Sequence, residues 1–340
     1  NTQLAGHKNT YHAGLHTKAG HVDALVYTNV GGSRGVQTAD GDQLSQQIDL
    51  SLENEFYLRP DVALIAGGQL VHATRDFTNN LNAAANAQKD YNAANPKLGM
   101  IWDIDASAQL FANVSRSSEA PTFSELVQTG VTGFVPLALQ RAWTGEIGTR
   151  GNNGNVAWDL TAYHSRIRGE LLNFTVGGGI PAATFNADTT MHQGLEMGVD
   201  WKITPLVTLR QVYNLNDFRF QDDVQYGDNR IAGAPLHQYR AELRYQPHEN
   251  WSVTPNVEIV PDGGWVDHRN TLQAPGYTVF GVAASYTPRP GLDFYVDGRN
   301  LLNKRYVSNY STITDAATAN TNVFYPGEGR AVFAGIKAAF

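Results

Sequence analysis

Apolar and polar residues alternate with a period of two along most of this chain, and the alternation is clearest from Gln43 to Leu58. There Leu44, Ile48, Leu50, Leu52, Phe56 and Leu58 make one row, and Gln43, Ser45, Gln47, Asp49, Ser51, Glu53 and Glu55 the other. A β-strand with one greasy face and one wet face gives this pattern. A strand of this length exceeds the usual soluble one. The pattern returns at the C-terminal end, where Val332, Ala334, Ile336, Ala338 and Phe340 alternate with Ala331, Phe333, Gly335, Lys337 and Ala339. Phe340 reads as the closing aromatic of a last strand.

Two weaker candidates come first, about 8–18 and 21–30, joined near Ala19-Gly20-His21. After Gln43–Leu58 the alternation predicts strands near 61–77, 95–104, 106–116, 139–150, 155–172, 187–202, 206–220, 236–246, 250–260, 277–287 and 292–308, then the closing one, fifteen in all. Every second connection is short. Arg59-Pro60-Asp61, Asp103-Ile104-Asp105, Gly151-Asn152-Asn153-Gly154, Thr204-Pro205, Pro247-His248-Glu249 and Arg289-Pro290-Gly291 carry turn residues, chemistry that closes hairpins. Between them fall an Asn/Ala-rich stretch before 95 and long loops at 117–138, 174–185, 221–235 and 261–275, with a last one reaching about 323. Short turns at one end and long loops at the other belong to an all-β fold, a transmembrane antiparallel β-barrel. A propeller would show a four-strand repeat, and none is visible. Bacterial barrels have an even strand count and no open edge, so fifteen strands are expected to continue into sequence upstream of Asn1.

Composition narrows the function classes. The net charge is −7 and charged residues are 17% of 340, without the basic stripe of a nucleic-acid binder. No linker or charge shift divides the chain, so one domain over 1–340 is expected. There is no cysteine, hence no thiolate metal site and no disulfide. No run of about 18 apolar residues forms a membrane helix, and Asn1-Thr2-Gln3 is expected to be mid-protein sequence rather than a signal peptide.

Catalytic constellations are not found. His12 and His16 invite a metal reading, but on a strand residues four apart are separated by about 13 Å, too far to share one ion. They read as polar wall residues. No carboxylate pair or nucleophile triad is marked by spacing, so neither an enzyme nor a cofactor is expected. In Leu236–Gln246, Gln238, Arg240, Glu242, Arg244 and Gln246 share one face and His237, Tyr239, Ala241, Leu243 and Tyr245 the other. The first row is expected to face a lumen, with Glu196, Asp200, Asp293, Asp297 and Arg299, and the second to face lipid.

Several phrases resemble those of the TonB-dependent outer-membrane receptors of the siderophore type. Arg116 to Leu126, through Pro121-Thr122 and Glu125, is similar to the family's Arg-x-x-x-x-Pro-Thr-x-x-Glu-Leu. Glu146-Ile147-Gly148-Thr149-Arg150, Thr161-Ala162-Tyr163 and Gly194-Leu195-Glu196 resemble its strand phrases, and Asn300-Leu301-Leu302-Asn303-Lys304-Arg305-Tyr306 its Asn-Leu-x-Asp-x-x-Tyr. The order of these phrases covers roughly 115–340. The resemblance implies a 22-stranded barrel plugged by an N-terminal domain that is not in this sequence, of which this chain would be the eighth strand to the last. It implies a Gram-negative outer membrane and the TonB energy-coupling protein as a partner, reached through the N-terminal region. It also implies a ferric siderophore or related metal chelate, copper or cobalamin included, as cargo; a passive porin is the reading from another class. Loops on a rigid scaffold carry recognition, and anionic, aromatic chelates suit arginines and rings. Arg116, Phe123, Tyr226, Arg230, Trp265 and His268, with Arg269, are therefore the candidate substrate-binding residues.

Overall fold

The computed structural model describes residues 2–128, 134–175, 183–318 and 323–339. Phe340, and parts of the loops expected at 117–138, 174–185 and beyond 310, lie outside the described residues.

Fifteen strands form one antiparallel sheet in chain order. They are β1 (Thr2–Leu4), β2 (His7–Val30), β3 (Ser33–Arg59), β4 (Val62–Asn79), β5 (Ala87–Asp103), β6 (Ala108–Glu119), β7 (Gln140–Asn152), β8 (Val156–Phe174), β9 (Ala183–Thr204), β10 (Val207–Phe220), β11 (His237–His248), β12 (Trp251–Val260), β13 (Tyr277–Arg289), β14 (Leu292–Arg299) and, after β15 (Val307–Tyr310) and β16 (Phe324–Pro326), β17 (Ala331–Ala338). Among the described residues β15 and β16 pair only with each other. A single turn of helix, α1 (Phe123–Leu126), follows β6. By its contacts the chain divides into two compact units, Asn1–Ile101 with Asn113–Gly145 and Ser165–Thr190, and Trp102–Ala112 with Glu146–His164 and Met191–Phe340.

In the first unit, β2 and β3 pair from Asn9↔Phe56 to Val30↔Ser33, and β3 pairs with β4 from Arg59↔Val62 to Gly41↔Asn79. The expected pair 8–18 and 21–30 is thus one strand. Gly20 sits inside the ladder opposite Ser45, and the true turn is Gly31-Gly32, both at positive φ (60° and 88°). Those values suit a two-residue hairpin turn that glycine enters without steric cost, and the Asn29 side chain closes it by accepting from the Gly32 N–H at 2.8 Å. The strand count of fifteen is met differently from the expectation, because merging the first two candidates removes one strand and β1 adds one. The Asn/Ala-rich stretch also shrinks, since β5 already begins at Ala87.

The faces follow the alternation. On β3, Leu44, Ile48, Leu50, Leu52 and Leu58 are exposed while Asp49 is buried. A water-soluble sheet would invert this, because exposing leucine costs and burying carboxylate costs more. In a bilayer the leucines meet lipid and the polar row lies inside.

In the second unit, β10 through β14 and β17 pair as nearest neighbours. Its short connections, including Pro205-Leu206, Glu249-Asn250 and Pro290-Gly291, share one end of the sheet, and the loops 221–236, 261–276 and 300–330 share the other, because the strands alternate in direction. Beside the short turns, Trp251 stacks on Tyr286 at 4.3 Å and Tyr286 lies 6.4 Å from Phe294, rings of the amphipathic kind that settle at a membrane interface. The strand expected over 292–308 ends at Arg299. Asn300 (φ 43°) turns the chain out of the sheet, donates to the carbonyls of Lys304 and Glu328 at 2.8 Å each, and accepts from the Lys304 N–H at 2.8 Å.

Candidate functional site

In the first unit the chain leaves β6 through Pro121 and Thr122 into α1. The Glu125 carboxylate accepts from the Thr122 N–H (2.6 Å) and hydroxyl (2.8 Å), tying the first turn. The buried Arg75 donates to the Pro121 carbonyl at 2.9 Å. Pro121, Thr122, Glu125 and Leu126, the recognisable part of the phrase, therefore build the loop's root. Arg116 is half-buried and, among the described residues, its guanidinium reaches only the Ala94 carbonyl, at 3.4 Å. Phe123 opens α1, half-exposed.

In the second unit three loops knit into one layer above the strand ends. Val266, Ala274, Ile313 and Val323 pack as its core, with Leu272, Tyr310 and Ala316 against them. Asp267 organises the layer. Fully buried (0% exposed), it accepts from the Thr271 hydroxyl (2.6 Å), the N–H groups of Thr271 (2.8 Å) and Leu272 (3.0 Å), and the Ala316 N–H of the following loop (3.1 Å). Burial resists its ionisation, but the Thr271 hydroxyl and these N–H groups outweigh burial and hold the carboxyl below its usual range. Asn270 (φ 57°) completes the turn and binds Arg230 in both directions, accepting from its N–H and donating to its carbonyl at 2.8 Å each.

Tyr226, Arg230, Trp265 and His268 all belong to this layer. Phe220, Tyr226 and His268 form a ring cluster, with centroids 4.8 Å apart for Phe220–Tyr226 and 5.4 Å for each ring with His268. His268 is 1% exposed and Tyr226 6%, and burial pushes the tyrosine hydroxyl's pKa up. The Trp265 carbonyl accepts from the Gly233 N–H at 2.9 Å, linking two loops. Arg230 lies 3.2 Å from Asp217, which Arg219 also holds at 2.9 Å. Arg269 is largely exposed and pairs with Asp315 at 3.2 Å.

The residues that sequence reasoning missed are Asp267, Asn270 and Asp217. The signal for the first two was local: Asp267-His268-Arg269-Asn270-Thr271 is a side-chain-closed turn of the kind aspartate and asparagine favour. Several of the strand charges pair with one another. Arg210 grips Asp200 with two bonds (2.8 and 3.2 Å), Arg240 pairs with Glu242 at 3.0 Å, and Arg299 with Asp297 at 2.7 Å. His12 and His16 lie opposite Glu53 and Asp49 in the ladder, and His16 Nδ1 is 3.5 Å from Asp49.

The description "TonB dependent receptor-like, beta-barrel" matches residues 1–301. Among solved structures, the unliganded ferric citrate transporter FecA superposes with a TM-score of 0.79 at 18% identity, over 99% of this chain and 52% of that one. The copper transporter OprC gives 0.78 at 15%, over 99% and 55%. The closed form of the ferric-catecholate import receptor Fiu from E. coli K12 gives 0.71 at 17%, over 97% and 51%. The chain thus spans about half the length of these structures, and at such identities the likeness is one of fold. With the family match over residues 1–301, the exposed apolar rows and the antiparallel strand order, the chain belongs to the TonB-dependent receptors, as a portion of their β-barrel.

Proposed function

We propose that this chain is barrel wall and loop cap of an outer-membrane importer of a Gram-negative bacterium, coupled to TonB, whose cargo is a ferric siderophore or related metal chelate. The observation that carries the reading is the loop layer organised by Asp267: a folded cap at the end of a membrane-type sheet suits capture, whereas a passive pore gains nothing from it. Capture falls to Arg230, Trp265 and Arg269 in the second unit's layer and, separately, to Arg116 and Phe123 at the loop root of the first unit; guanidinium groups suit anionic oxygens and rings suit aromatic or flat chelators. Tyr226 and His268 act indirectly, by stiffening the loops that carry them. Likeness to a copper transporter keeps a copper chelate as the second reading.

The test is uptake of radiolabelled ferric chelates by cells whose only receptor of this type is the full-length protein, with and without functional TonB. TonB-dependent accumulation of at least one ferric chelate is expected. TonB-independent leakage of small sugars without chelate uptake would return the barrel to the porin class, and uptake of copper alone would replace the cargo.

A further inference from the structure

Among the described residues, one group of three side chains has its donor atoms close enough to share a metal ion: His21, Asp23 and Asp42. It stands on the β2–β3 hairpin of the first unit. Asp23 is directly opposite Asp42 in the ladder, and His21 is opposite Leu44. Alternation puts all three on one face, and exposed Leu44, Ile48, Leu50 and Leu52 mark it as the lipid-facing one. Leu44 is the last leucine of that row towards the hairpin tip, and Asp42 takes the next position. The group therefore sits towards the hairpin end of this outward face, with exposed Leu25, opposite Asp40, one position nearer the tip.

The spacing suits coordination. The three donor atoms lie within 4.8 Å of one another, and His21 Nε2 is 3.2 Å from Asp23 Oδ1. Two donors each about 2.1 Å from a single ion stand about 3.0 Å apart at a right angle and about 3.4 Å apart at the tetrahedral angle, so this pair is already at ligand separation. Two carboxylates directly opposite across a strand pair repel, and a shared divalent ion converts that repulsion into attraction. Neighbouring Asp40 accepts from two amides, Gln37 at 2.9 Å and Asn80 at 2.8 Å, while Asp42 accepts only the long end of the Asn80 amide, at 3.4 Å, among the described residues. One imidazole nitrogen with two carboxylate oxygens suits zinc, manganese and their first-row neighbours, while calcium sites are built from oxygens.

We propose that His21, Asp23 and Asp42 bind a divalent first-row metal ion at the outward rim of the receptor, with its remaining positions open to water. The ion bridges β2 and β3 near Gly41↔Asn79, where pairing with β4 ends and the hairpin goes on alone. The site is independent of the importer reading. Its test is calorimetric titration of the full-length receptor, stripped of metal and without a histidine tag, with zinc, alongside hydrogen exchange of residues 22–42. One site is expected, weakened about tenfold or more in His21→Ala, Asp42→Asn and Asp23→Asn, kept in His12→Ala, with zinc slowing exchange of the hairpin only where it binds. Asp23→Asn removes the facing charge pair, so its metal-free hairpin should exchange no faster than the wild type, which separates lost binding from lost folding. Zinc affinity unchanged in the three variants, or no binding to the wild type at micromolar zinc, overturns the site.

Discussion

Asp49 is 7% exposed and Leu50, the next residue of the same strand, is 54% exposed. That inversion within one peptide unit assigns the faces of β3. Arginine at Leu50 or Leu52 would put a charge in the hydrocarbon and should destabilise the barrel by about 2–4 kcal/mol at mid-bilayer. Arginine at Ser51, which faces inward opposite Gly14, should cost far less. Urea midpoints of the refolded barrel in liposomes check this, and equal costs at 50 and 51 would show the rows misassigned.

Two of the phrases that mark the family interlock in space. A Cβ on Gly194 would lie 2.6 Å from the Tyr163 hydroxyl oxygen and closer still to the Leu215 carbonyl, whereas one on Gly198, four residues on, would meet nothing within 4 Å. The tyrosine lies over the glycine and donates to Asn216 at 3.2 Å. Gly194→Ala should therefore destabilise by about 1–3 kcal/mol, as overpacking does, while Gly198→Ala should stay within about 0.5 kcal/mol. Their denaturation midpoints, compared in the same lipid, decide between interlock and chance.

What the sequence could and could not reveal follows from the same residues. Strand faces were legible because a bilayer enforces alternation over ten or more positions, as on β3. The short turns were legible because Pro60, Gly154 and Pro290 announce themselves. Gly20 misled because a glycine inside a ladder and a glycine in a turn look alike until the partner strand is known, and here the partner is Ser45. The loop layer was legible only as a set of chemistry-bearing residues. That His268 turns inward onto Phe220 and Tyr226 depends on contacts more than 40 positions apart in the sequence, which no local pattern carries.

Asp267 makes the loop layer sensitive to acid. Its carboxyl is held below the usual range, so its contribution is fully present above the unfolded value of about 3.9 and is lost as pH falls through the lower folded value. Protection factors for residues 264–274 should be constant from pH 7 to pH 5 and drop below about pH 4. In Asp267→Asn they should be reduced at pH 7 and flat across the range. A wild-type loss of protection centred near neutrality would point to a histidine instead.

Capture of an anionic chelate is the least constrained step, and the arginines test it. Arg230 shares Asp217 with Arg219, so its removal leaves that carboxylate a cationic partner at 2.9 Å. Among the described residues Arg116 holds only the Ala94 carbonyl, at 3.4 Å, so removing it strands no buried charge there. Arg116→Ala with Arg230→Ala in the full-length receptor should therefore leave the unfolding midpoint close to wild type. Chelate affinity should fall about tenfold or more, as expected where charge-assisted bonds worth about 1.5–3 kcal/mol each are lost. Fluorescence quenching titrations with several ferric siderophores measure that affinity, and hydrogen exchange reports whether the layer around Asp267 keeps its protection. Wild-type affinity for every chelate in the double variant, with uptake abolished by deleting the loop 261–275, would move capture to other loop residues.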